Sequence, residues 1–220
     1  MATFDLEEQE QISELKTWWR MHGNRVTTGL LVAVVALAGW QFWSWYQRSQ
    51  AQQAGAIYAM VQGAAAEHNA KKAREAAGEL IEKYPGTAYA ALAALTSARL
   101  QFDAGDLKSA KAQLQWVVDK ARDAELRDLA RLRLAHVLFD EKAADDALKL
   151  LGEEPLAAYA PRFAELKGDI LAAQGKKAEA RAAYQAALAK LDEAKAAGAP
   201  RREAGYRDLL QIKADALGDK

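Results

Sequence analysis

Hydrophobic and polar positions are arranged in two different ways along this chain, and the change falls near residue 48. From Val26 to Gln47, 22 residues pass without one charge. Leu30, Leu31, Val32, Val34, Val35 and Leu37 cover every face of a helix there, so no stripe aims at a single core. At about 1.5 Å per residue the segment reaches ~33 Å, enough to cross a hydrocarbon core of about 30 Å. Trp40, Trp43, Trp45 and Tyr46 crowd its end, and Trp18 and Trp19 precede its start. Such amphipathic rings suit the headgroup level. The pattern predicts a transmembrane helix in preference to a buried soluble one.

Beyond this segment apolar residues recur with a helical period, alanine is abundant and β-branched residues are scarce, which predicts an all-helical domain. Breaks are expected at Pro85-Gly86, Gly105, Gly152 with Pro155, Pro161, Gly175, and Gly198 with Pro200. Helices of ~12–18 residues fit between them.

Aligning these segments brings out a repeat. Gly168, Leu171, Gly175, Ala180, Tyr184 and Ala187 fall at positions 8, 11, 15, 20, 24 and 27 of a tetratricopeptide repeat. Small residues at 8 and 20 let the two helices of a hairpin cross closely, and larger ones at 11 and 24 fill the space around them. An earlier copy holds Ala98, Gly105, Asp106, Ala110, Leu114 and Val117. A looser one between them holds Ala135, Leu138, Ala147 and Leu151, and a degenerate first copy runs through Ala73, Leu80 and Pro85. The position-20 alanines Ala73, Ala110, Ala147 and Ala180 are 37, 37 and 33 residues apart, near the period of about 34. An alanine-rich bundle is the competing architecture. Residues 201–217, with Leu209, Leu210, Ile212, Ala214 and Leu217, read as a helix capping the stack. The predicted fold is all-α: one N-terminal transmembrane helix, then a tetratricopeptide-like solenoid of helical hairpins with a C-terminal capping helix.

Charge sets the orientation. Lys16, Arg20 and Arg25 stand before the span and Arg48 alone just after it. Residues 1–25 are therefore expected in the cytoplasm, 26–47 in the membrane and 48–220 on the far side. The carboxylates Asp5, Glu7, Glu8, Glu10 and Glu14 count little in this rule. Ala36-Leu37-Ala38 has the form of a signal-peptidase site, but the apolar run continues past it through Phe42 and Trp45, which favours an uncleaved anchor. In the tail, Ile12, Leu15, Trp18 and Trp19 recur at helical spacing and predict a short amphipathic helix on the inner leaflet, with plain juxtamembrane anchoring as its function.

Composition narrows the chemistry. With 30 basic and 30 acidic residues, the balance gives no nucleic-acid footprint. There is no cysteine, hence no disulfide or thiol nucleophile. The histidines His22, His68 and His136 lie far apart with no ligand spacing, so neither a metal nor a cofactor is expected. No nucleophile elbow, zinc-protease motif or phosphate loop is present. Asp145-Asp146 and Glu153-Glu154 read as helix starts and loops, and Lys71, Lys72 and Arg74 as a solvated face. An enzyme is not expected.

Function then lies in surfaces. In this register the groove-facing positions are Leu92, Leu95, Arg99 and Phe102 in the second copy, and Leu129, Leu132, His136 and Phe139 in the third. They form either a protein-binding groove for an extended or helical segment, or packing against the neighbouring repeat.

The chain resembles the YfgM family of bacterial inner-membrane proteins over nearly its whole length. The resemblance rests on Glu10-Gln11-Ile12, Leu15-Lys16-x-Trp18-Trp19 and Gly23-Asn24 leading into the Trp-terminated span. It continues in Leu132-Arg133-Leu134-Ala135, Asp146-Ala147-Leu148-Lys149 and Leu166-Lys167-Gly168-Asp169. Gly175-Lys176-x-x-x-Ala180-Arg181-x-x-Tyr184 and Gln211-Ile212-Lys213 complete it. It implies a single-pass inner-membrane protein with a cytoplasmic N-terminus and a periplasmic domain. The implied partners are the SecYEG translocon, a membrane-anchored periplasmic chaperone of prolyl-isomerase type, and exported client polypeptides, with a link in some members to an envelope-stress response regulator. The alternatives are a structural scaffold for envelope assembly, or a soluble periplasmic tetratricopeptide protein unrelated to the translocon.

Overall fold

In the computed structural model, which describes residues 4–196 and 204–218, the described residues form helices and the turns between them. The chain divides into two units, Met1–Gln50 and Ala51–Lys220. Helix α1 (Phe4–Ala66) lends its residues up to Gln50 to the first unit and its last turns, 51–66, to the second.

In the first unit the apolar side chains from Leu30 to Trp45 are exposed on all sides. The uniform hydropathy of 26–47 thus has no protein core to satisfy it, and this stretch is long and apolar enough to cross a membrane. The tail differs from expectation. Residues 11–20 are not a separate interfacial helix but continue into the span without a break. No proline interrupts the run. Around Gly23-Asn24 the hydroxyls of Thr27 and Thr28 donate to the carbonyls of Gly23 and Asn24 at 2.6 and 2.7 Å, within the helix. The side chains of Asp5, Glu7, Glu8, Glu10 and Gln11, on which part of the expected tail rests, lie outside the described residues.

The second unit is a series of hairpins. Its elements are 51–66 of α1 with α2 (Ala70–Lys83), α3 (Ala88–Asp103) with α4 (Leu107–Lys120), and α5 (Ala124–Asp140) with α6 (Ala144–Leu150). Then come α7 (Ala160–Ala173) with α8 (Lys177–Ala196), and α9 (Ala204–Asp215). Each hairpin turns in the same way. His68, Gly105, Lys142 and Gly175 are left-handed, with φ of 53°, 80°, 67° and 76°. The next amide in each (Asn69, Asp106, Ala143, Lys176) donates to the carbonyl five residues back, at 2.8–2.9 Å. This closure ends a helix and satisfies its last carbonyls. The two glycines adopt it freely, whereas a side chain there costs about 1–2 kcal/mol.

These turns stand 37, 37 and 33 residues apart, as the position-20 alanines do. Ala73, Ala110, Ala147 and Ala180 are all fully buried. The first copy therefore has a complete hairpin. Its first helix is the end of α1, where Val61, fully buried, holds the position of Ala98, Ala135 and Gly168.

Local signals explain the boundaries. Asn69 and Asp106 accept the amides of Lys72 and Ser109 at 3.0 Å, and Asp123 accepts those of Glu125 and Leu126. Ala143 offers no such cap, and α6 lasts only 7 residues before Gly152 and Pro155 end it. Two expectations are corrected. Pro161 is not a break but sits in the first turn of α7, where its missing N–H costs nothing. Helix lengths also run wider than 12–18, from 7 residues in α6 to 20 in α8 and 63 in α1. The break at Gly198 and Pro200 and the first residues of the capping segment lie outside the described residues.

Candidate functional site

The first helices of the second and third hairpins, α3 and α5, carry the eight positions singled out by register. Packing divides them. Leu95 is 3% exposed and belongs to the core formed with Ala91, Ala98, Leu114, Ala130 and Leu134. Leu129 packs against that same core, while Leu132 and Phe139 pack against the one around Phe163 and Leu166. Leu92 is half-buried. The remaining three, Arg99, Phe102 and His136, are exposed and line one open cleft of about 280 Å³. Its floor is Ala98, Leu114 and Val137.

Arg133, absent from the eight, lines this cleft as well. It lies one position beyond Leu132, at the edge of the face set by the register, and its place three residues before His136 was the signal for it. Its Nη1 donates to the Leu95 carbonyl at 3.4 Å, tying α5 to α3. Burial, and the like charge of Arg99, hold the Arg133 guanidinium below its ordinary value, so its charge is poorly compensated. Arg99 has only a loose pair, 3.9 Å to Asp103 on an exposed helical turn. The side chains packed around the His136 ring strip part of its water although the residue stays open to solvent, and this pushes it down against the pull of Asp140, Asp169 and Glu165.

In the fourth hairpin the matching positions are already engaged. Lys213 of α9 donates to Glu165 and Asp169 at 2.8 Å, and the Arg162 guanidinium lies 3.8 Å from the centre of the Tyr206 ring. Burial works against the Lys213 charge, yet these two carboxylates raise its pKa above the usual ammonium value. Tyr184 donates to Asp169 at 2.7 Å. Burial first, then that carboxylate, raises its phenol far above the ordinary range.

Other polar groups have structural employment. Asp145 and Asp146 lie in the first turn of α6. Lys72 pairs with Glu67 at 2.9 Å and Arg74 with Asp106 at 3.3 Å. Among the described residues no three acidic or histidine side chains gather as metal ligands would.

Comparison with known proteins adds an independent line. A family model described as a tetratricopeptide repeat-like domain matches residues 16–219. A protein of Neisseria gonorrhoeae named ancillary SecYEG translocon subunit is 33% identical over 213 residues, 96% of this chain and 98% of that protein. Proteins of the same name from Haemophilus influenzae and Escherichia coli are 30% and 32% identical. The alignments cover 84% and 82% of this chain, and 90% and 87% of those proteins.

Proposed function

This chain belongs to the YfgM family of tetratricopeptide repeat-like proteins, and from that premise we propose that it is an ancillary subunit of the SecYEG translocon. It acts by binding proteins, not by catalysis. The observation that carries the reading is end-to-end similarity to relatives bearing that name, together with an N-terminal stretch of apolar side chains left exposed on every face. Residues 26–47 hold it in the inner membrane as a single span. The basic flank at Lys16, Arg20 and Arg25 supports a cytoplasmic tail, 1–25, and a periplasmic domain, 48–220. On the periplasmic side the exposed part of the α3 and α5 faces engages a membrane-anchored chaperone of prolyl-isomerase type or the exported chains themselves. The domain thereby links export to folding.

Affinity purification of the full chain from gently solubilised native membranes tests this. SecYEG and a periplasmic chaperone are expected to co-purify, and to be lost when 26–47 is replaced by an unrelated span. Recovery of envelope-assembly components without any translocon subunit would sink the proposal. Phe102→Glu is expected to weaken chaperone or client recovery while helical circular dichroism stays unchanged.

A further inference from the structure

The last hairpin contains its own example of how the first-helix face is covered. There α9 meets the acidic register positions Glu165 and Asp169 with a cation, Lys213, and the basic one, Arg162, with the face of the Tyr206 ring. Charge and counter-charge match within one chain. The α3–α5 cleft presents the opposite sign through Arg99 and Arg133, beside His136, the apolar floor of Leu114 and Val137 and the ring of Phe102.

Arg133 is the telling residue. It is half-buried, its neighbour in charge is another arginine, and among the described residues no carboxylate lies within salt-bridge distance of it. Placing an arginine in partial burial without an anion is unfavourable unless something supplies one. A guanidinium pair above an apolar floor is suited to a carboxylate on a short side chain with an aliphatic neighbour.

We propose that the α3–α5 cleft takes an acidic segment of a partner protein, with its carboxylate on Arg99 and Arg133 and an adjacent aliphatic side chain on Phe102, Leu114 and Val137. This rests on the reading of the first-helix face as the binding surface and adds the chemistry of its occupant. The segment does there what Lys213 does for Glu165 and Asp169 in the fourth hairpin, with the signs reversed. Lysine-rich segments are excluded by like charge.

The test uses the full chain in lipid nanodiscs and two fluorescein-labelled octapeptides, one alternating leucine with aspartate, its twin alternating leucine with asparagine. Binding is read by fluorescence anisotropy, with empty nanodiscs subtracted. The acidic peptide is expected to bind about tenfold more tightly, the scale of one charge-assisted pair. Arg133→Gln should close that gap. So should Arg99→Gln, which lies on an exposed position and leaves the fold intact; Lys149→Gln on α6, outside the cleft, should preserve it. Equal binding of the twins, or a gap that survives both arginine variants, would overturn the proposal. So would sedimentation showing a dimer that Arg133→Gln dissociates, because the occupant would then be a second copy. The translocon is absent from this assay, so its outcome and that of the membrane purification fail separately.

Discussion

The third and fourth hairpins follow one register, yet their two helices are held together by different means. In the fourth, Gly168 leaves room for the ring of Tyr184: a Cβ at Gly168 would stand 2.5 Å from the ring edge. The hairpin closes by interdigitation, with the phenol tied back to Asp169. In the third, Ala135 and Leu151 occupy the same positions and α6 ends within 7 residues. The loop that follows is held instead by a buried ion pair. Arg131, 7% exposed, pairs with Asp128 at 3.0 Å and donates to the carbonyls of Leu150 and Glu153. Asp128 in turn accepts the Leu156 amide at 2.8 Å, and the Arg131 guanidinium sits 5.1 Å from the centre of the Phe163 ring. A repeat with a short second helix keeps an apolar core around Ala135, Ala147 and Leu151 and adds a polar clamp to hold the loop that follows.

That contrast can be broken at its polar end first. Arg131→Ala leaves Asp128 buried and unpaired and is expected to cost about 3–5 kcal/mol. Urea unfolding in detergent measures the loss, and faster amide exchange over 144–159 locates it. A loss under about 1 kcal/mol would show that the clamp is ornamental. Replacing both partners, Arg131→Met with Asp128→Leu, should restore most of the stability, since an apolar pair of similar volume has no charge to desolvate.

At the apolar end, Gly168→Ala is expected to cost about 1–3 kcal/mol through overpacking against Tyr184. Adding Tyr184→Leu copies the alanine–leucine pair of the third hairpin and should recover part of the cost. If Gly168→Ala is silent by the same unfolding measurement, the close approach is not needed. The smallest effect sharpens the comparison at the turns. Lys142 is left-handed where the fourth hairpin has Gly175, so Lys142→Gly should stabilise by about 1 kcal/mol. No rise in the urea midpoint would mean that the lysine conformation carries no strain.

Much of this was legible in the residues. The spacing of Ala73, Ala110, Ala147 and Ala180 located the hairpins because a close helix crossing demands a small residue at a fixed place. The first copy was legible only in part. Its first helix carries Val61 at the small position and lies in the same continuous helix as the apolar span, so nothing marks its start. The binding face was the least legible. Periodicity placed Leu95 and Arg99 on one face of α3, yet Leu95 is enclosed by α4 and α5 and Arg99 is not. Arg133 escaped notice because it lies one position away from the expected face.

The sequence alone determined the apolar span, the helical class, the register and the turns at Gly105 and Gly175; those at His68 and Lys142 carry no glycine to mark them. These are local: hydropathy over about 20 residues, or a small residue and a left-handed turn at fixed spacing. Which part of the repeated face stays open was decided by tertiary structure. It depends on neighbours far away in sequence, with α9 engaging the fourth hairpin through Lys213 and α5 drawing Arg133 beside Leu95. Burial is a property of the assembled neighbours, and no single helix carries it in its own pattern.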